Sequence, residues 1–276
     1  MAGDSSAKTS SGTAAFTGSV PENYDRYMGP MFFVPYANDI AERLPPLAQN
    51  VLEIACGTGI STRAIRDAMP AEARLVATDL NDGMIEQARG KFAEGEHVEF
   101  RQADAADLPF EDASFDVVVC QFGVMFFPDK SAAFGEIHRV LAPGGTFLFN
   151  VWDRLERNEI SQAVDDAVRE LFPDDPPRFY ETPFGFNDPP TIQALLEGAG
   201  FVDIGYTFVE LPCVAASAED AARGLIQGTP MVGQIMERHP DVEAVTAAVA
   251  EKIRSRFGDD PINTKMQAIV WTARKQ

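Results

Sequence analysis

The stretch that most constrains this chain is residues 51–59, VLEIACGTG. It opens on apolar, partly β-branched side chains, as a buried strand requires. It then runs into two glycines one residue apart and passes into a helical pattern from Ile60. Strand, glycine turn, helix is the geometry in which main chain comes close to a nucleotide-like ligand. The glycines remove Cβ atoms where a ligand would touch backbone, and the helix start offers N–H donors and a positive dipole end. An ordinary tight turn between strand and helix can carry the same glycines, so the remainder of the chain has to decide.

Alternation of strands and helices follows. Strands are predicted over residues 51–55, 74–78, 98–102, 115–122 and 146–151, and helices over 60–69, 84–92 and 131–141, with a sharp turn at Pro143, Gly144 and Gly145. Repeated units of this length predict an α/β fold, a doubly wound, mostly parallel seven-stranded sheet of Rossmann-like type whose last strand is antiparallel. The rhythm breaks after residue 151. A helix over 159–171, a proline-rich stretch, a helix over 191–198, a strand over 201–211, a helical insertion over 217–257 and a closing strand over 265–273 complete the chain. Segments leaving the fifth and sixth strands depart from the carboxyl edge of such a sheet, where open α/β sheets bind ligands. Residues 19–47, 153–188 and 212–260 are therefore expected to cap one domain spanning 19–276. Residues 1–18, rich in Ser, Thr, Ala and Gly, are expected to be a disordered tail.

Lys and Arg number 23 against 42 Asp and Glu, a net charge of −19. Bare nucleic acid and anionic membrane surfaces call for clustered basic residues, so neither is an expected partner; a small molecule is. Three widely spaced cysteines, Cys56, Cys120 and Cys213, show no metal spacing and point to a reducing compartment. No secretory signal and no run of ~18–20 apolar residues is visible, so a cytoplasmic protein without a membrane span or a bound metal is expected, as monomer or homodimer.

Two acids mark the same sheet edge. Asp79 ends the second strand, 20 residues beyond Gly59, where a carboxylate can accept hydrogen bonds from ribose hydroxyls. Asp104 follows the third strand, where a carboxylate can accept from an adenine amine. A dinucleotide pattern would need a third glycine at the position held by Thr62.

The ordered stretches VLEIACGTG, VATDLNDGM, RQADAADLPFEDASFDVVVCQFGVMFFPD and EIHRVLAPGGTFLFNVW resemble the class I S-adenosylmethionine-dependent methyltransferases, and within them the group that includes the ubiquinone and menaquinone biosynthesis enzymes. The resemblance covers residues 50–152 closely and residues 190–276 by topology alone. It implies S-adenosylmethionine as cofactor. Glu53, Ala55, Gly57 and Thr58 would surround its methionine part, with Gly59 opening the helix beneath. Asp79 would hold the ribose, Leu80 and Met84 would contact the adenine, and Asp104 and Ala105 would read its edge. Gln121 and Phe122 would face the reacting centre. Ala55 stands where the family usually has its first glycine; one added methyl group is expected to be tolerated.

Tyr24 and Tyr27, in the aromatic segment over 21–47 that contains a predicted helix over 37–44, are candidates for closing over the cofactor. Of the three histidines, His138 reads as packing and His97 as a surface residue. Tyr24 and His239 are the candidates for a catalytic role. The tract after the fourth strand reads QFGVMFF and is apolar, as are Phe32, Phe33, Phe179, Phe184 and Phe186. The expected reaction is thus O- or C-methylation of a small, apolar or aromatic metabolite; a non-catalytic cofactor-binding regulator of the same fold is the alternative.

Overall fold

A computed structural model describes residues 18–276. All but the last residue of the expected tail lies outside that range. Seven strands form one sheet in the order β3-β2-β1-β4-β5-β7-β6. They are β1 Asn50–Ile54, β2 Arg74–Asp79, β3 Val98–Gln102, β4 Phe115–Gln121, β5 Leu141–Trp152, β6 Phe201–Ala215 and β7 Ile262–Lys275. The pairs among β1 to β5 are parallel, and β7 runs antiparallel between β5 and β6. This is the expected architecture. The fifth strand starts earlier than predicted, at Leu141, and its pairing with β4 shifts between Phe115 and Val117 before becoming regular at Thr146. Pro143, Gly144 and Gly145 thus form an irregular stretch inside the strand rather than a turn ahead of it.

Side chains of one strand alternate between two faces. Val51, Val117, Val119 and Leu148 pack with Ile40 and Ile65 on one side of the sheet. Leu52, Ile54, Val118, Cys120, Phe147 and Phe149 join the larger core on the other. Helices α3 (Ile60–Ala68), α4 (Asp82–Arg89), α5 (Lys130–Val140) and α7 (Pro189–Gly198) follow their strands, near the ranges the periodicity predicts. The remaining helices are α6 (Glu159–Leu171) after β5, and α8 (Ala218–Gln227), α9 (Met231–Met236) and α10 (Val242–Phe257) between β6 and β7.

The first described segment departs from expectation. A helix is predicted only over 37–44, yet the chain is helical from Val20 to Glu42. Between α1 (Val20–Asn23) and α2 (Val34–Glu42), residues Tyr24–Phe33 wind as a π-helix, with the Val34 N–H reaching back five residues to the Gly29 carbonyl. Pro30 lies inside this turn. A proline weakens an ordinary helix signal because it lacks an N–H and crowds the preceding turn, which is why sequence pattern stops short here. Burial of Met28, Met31, Phe32, Phe33 and Tyr36 supplies what propensity does not. The Tyr36 hydroxyl donates to the carbonyls of Val209 (2.9 Å) and Met266 (3.3 Å), fixing α2 to β6 and β7.

Candidate active site

The carboxyl ends of β1, β2 and β4 open into a cleft of about 210 Å³. Its lining includes Tyr24, Ala55, Gly57, Asp79, Leu80, Met84, Asp104, Ala105, Gln121 and Phe122, ten of the residues the sequence nominates. Asp79, at the tip of β2, organises the floor. One carboxylate oxygen accepts from the Gly57 N–H (2.9 Å) and the other from the Asn81 N–H (2.8 Å), so the glycine turn and the entry to α4 are tied to one side chain. Burial raises its pKa above the usual carboxylate value. Gly59 has φ +82°, and a Cβ there would lie 2.8 Å from that of Ala88, so only glycine lets α4 close against the turn. No side chain caps the start of α3. Asp104 accepts from the Ala106 N–H at 2.9 Å and holds the turn that follows β3.

Gln121 donates through Nε2 to the Phe33 carbonyl (3.2 Å), while its Oε1 is buried without a hydrogen-bond partner. Phe122 has a left-handed backbone, φ +50°, held by the Asn150 side chain, whose oxygen accepts from the Phe122 N–H at 2.9 Å. The Phe122 ring stacks on Trp152 with centroids 3.8 Å apart.

Beyond Phe122 lies a second, smaller space of about 60 Å³. It shares Tyr24, Phe122 and Phe126 with the cleft and is otherwise walled by residues such as Trp152, Phe179, Tyr180 and Phe184. Tyr24 stacks on Phe33 at 4.5 Å. Its hydroxyl is pushed far above the ordinary tyrosine range by burial and then by the charge of Asp79.

The other nominated residues stand outside the cleft lining. Glu53 is fully buried beneath the turn; one oxygen accepts from the Ser61 hydroxyl and the other has no partner. Burial pushes its pKa up to about 7. Thr58 donates to Asp25 (2.7 Å), which also pairs with Lys91 (2.6 Å), clamping the π-helical segment onto the glycine turn. Gly59 contacts α4. Tyr27 packs against α8, where its Cβ lies 2.9 Å from the position a Cβ on Gly224 would take. His239 is exposed after α9, its Nδ1 accepting from the Asp241 N–H at 3.2 Å. His138 packs edge-on against Phe201 at 5.1 Å.

Sequence reading missed Tyr180, Trp152 and the Asp25 clamp. Tyr180 adjoins Phe179 in an aromatic tract that drew notice only for its apolarity. Asp25 and Lys91 are 66 residues apart, with no pattern linking them.

A family model described as a methyltransferase domain matches residues 52–149, which hold the turn and both marker acids. A demethylmenaquinone methyltransferase of Clavibacter sepedonicus is 41% identical over 101 residues, 37% of this chain and 40% of that one. A ubiquinone/menaquinone biosynthesis C-methyltransferase of Idiomarina loihiensis is 31% identical over 169 residues, 56% of this chain and 67% of the relative. The chain belongs to the class I S-adenosylmethionine-dependent methyltransferases. It spans between 40% and 67% of the length of these two methyltransferases. A phosphoethanolamine N-methyltransferase 2 of Haemonchus contortus, solved with S-adenosylhomocysteine, shares the fold. Its TM-score is 0.58 at 18% identity, over 92% of this chain and 56% of that one.

The donor set fits the family's cofactor. The cleft offers a carboxylate at a strand tip for ribose hydroxyls and the Leu80 and Met84 side chains for a base, and its lining residue Gln121 has a buried oxygen left without a hydrogen-bond partner. Among the described residues no group of three or more His, Cys, Asp or Glu side chains is placed to hold a metal, and no helix is long and apolar enough to cross a membrane.

Proposed function

We propose that this protein transfers the methyl group of S-adenosylmethionine to a small, ring-containing acceptor held in the aromatic chamber, with residues 19–276 acting as one unit. The observation that carries this reading is the shared wall: Tyr24, Phe122 and Phe126 border both the polar cleft and the apolar chamber. When bound, the cofactor supplies an electrophilic methyl, which a nucleophilic acceptor atom takes as the carbon–sulfur bond breaks and S-adenosylhomocysteine leaves. The chain's part is alignment and exclusion of water. Asp79, Leu80, Met84, Asp104 and Gln121 hold the cofactor, and the aromatic walls hold the ring.

Among the described residues, those lining the chamber include no Asp, Glu, His or Lys. Burial keeps the Tyr24 and Tyr180 hydroxyls protonated, so neither serves as a base. The acceptor therefore brings its own nucleophile, an oxygen that ionises in water or a ring carbon made electron-rich by such an oxygen, and the proton that a methylated ring carbon gives up passes to water. The names of two relatives, a C-methyltransferase and a demethylmenaquinone methyltransferase, favour carbon and a quinone-related ring. Buried, unpaired Cys56, Cys120 and Cys213 support a cytoplasmic setting.

The test is calorimetric titration with S-adenosylhomocysteine. Wild type binds, and Asp79→Ala binds at least about tenfold more weakly, the loss expected for hydrogen bonds to a charged group. A wild-type protein that binds no S-adenosylhomocysteine, or an Asp79→Ala variant of unchanged affinity, sinks the reading.

A further inference from the structure

Tyr180 sits on the short turn Phe179–Glu181 of the segment that follows β5, and its ring forms part of the chamber wall. It is rigidly placed, edge-on to Phe184 at 5.5 Å and tilted against Phe179 at 5.8 Å. The residue is 5% exposed, and its hydroxyl is buried with no hydrogen-bond partner among the described residues. A buried hydroxyl that lacks a partner is costly and uncommon, and phenylalanine would fill the same space without that cost. A wall residue whose hydroxyl is left unpaired supplies the donor that a site for an oxygen-bearing ring requires.

We infer that the Tyr180 hydroxyl is the polar recognition group of the chamber, donating a hydrogen bond to an oxygen on the acceptor's ring. The inference rests on the chamber being the acceptor site, and it narrows the acceptor class to aromatic rings bearing a carbonyl or hydroxyl oxygen. Burial, with a smaller contribution from the charge of Asp165, keeps the phenol protonated, so it acts as donor and not as base. Rings of the same shape without the oxygen leave the hydroxyl unpaired and are rejected for that reason, the way sites built around a substrate hydroxyl exclude analogues lacking it. Tyr180 is thereby a specificity determinant and not a group that moves the methyl.

The experiment compares acetophenone with α-methylstyrene, two probes of nearly one shape that differ by a carbonyl oxygen in place of a methylene. Both are titrated by NMR into protein saturated with S-adenosylhomocysteine. Wild type binds acetophenone about five- to tenfold more tightly than α-methylstyrene, the ratio that one hydrogen bond provides. Tyr180→Phe binds the two alike, keeps its affinity for S-adenosylhomocysteine, and melts at or above the wild-type temperature because a buried unpaired hydroxyl has been removed. Equal wild-type affinities, no saturable binding of either probe, a preference that survives in Tyr180→Phe, or a lowered melting temperature in that variant each overturns the proposal. Failure of S-adenosylhomocysteine to bind overturns instead the functional reading beneath it.

Discussion

Ala55 follows the first strand with φ +54°, a left-handed conformation in which a Cβ costs about 1–2 kcal/mol. The sequence shows an alanine at the family's glycine position and suggests only a tolerated methyl group; the backbone shows that this methyl is strained. It also faces Gly123, where a Cβ would come within 2.6 Å of Ala55 Cβ and 2.7 Å of Cys120 Sγ. Ala55→Gly is therefore expected to raise stability by about 0.5–1 kcal/mol, since the added freedom of the unfolded chain offsets part of the relief. Gly123→Ala is expected to lower it by about 1–3 kcal/mol through overpacking. Urea unfolding of both single variants and the double variant checks the pair. The double variant should recover part of the Gly123→Ala loss, because the two sites touch; strict additivity would contradict the contact.

Among the elements, the π-helical segment Tyr24–Phe33 does most to join the two halves of the site, since Tyr24 belongs to both linings. Asp25 holds it to the glycine turn through Thr58 and Lys91. Asp25→Asn keeps an acceptor for Thr58 and removes the charge facing Lys91. Both charged side chains are about one-quarter exposed, so the expected loss in stability is under about 1 kcal/mol. Affinity for S-adenosylhomocysteine should fall severalfold, because the segment that brings Tyr24 to the cleft lining is less firmly held. Calorimetry at 0.05 M and 0.5 M NaCl distinguishes this from a general fold defect: wild-type affinity should weaken with salt and that of the variant should not. Equal salt dependence would show that the pair does not fasten the segment. No sequence rule reached this element, because its helical character comes from buried aromatic side chains and a proline-tolerant winding rather than from periodicity.

For the whole molecule, the buried Glu53 carboxyl makes global stability depend on pH. Its folded pKa of about 7 lies above the ordinary glutamate value, so the folded state binds the extra proton. Its stabilising contribution is complete below about pH 4.5 and is lost as pH rises through 7. Asp79, raised in the same direction, adds to this trend. Glu53→Gln keeps an oxygen for the Ser61 hydroxyl and removes the titration. The variant should gain stability relative to wild type between pH 5 and pH 8, by up to about 3 kcal/mol. Chemical denaturation at those two pH values measures it. An unchanged difference between the two proteins would mean that the carboxyl titrates as in water.

The sequence alone determined the sheet and the edge at which its cleft opens. Val51, Gly57, Gly59, Asp79 and Asp104 sit at strand ends and turns, where one strand's register and one turn's backbone fix their positions, so spacing along the chain carries the information. It did not show that Tyr27, Glu53, Thr58, Gly59 and His239 stand outside the cleft lining, because a side chain's type does not reveal which neighbour it packs on. Tertiary structure decided the second half of the site. The chamber draws Tyr24, Phe122, Trp152, Tyr180 and Leu225 from five separate segments. Hydrophobic burial, which is non-directional and sets no spacing, brings them together. The glycine turn of residues 51–59 thus marks the edge where the cleft opens, and the packing of distant aromatic side chains around Phe122 shapes the second, apolar space.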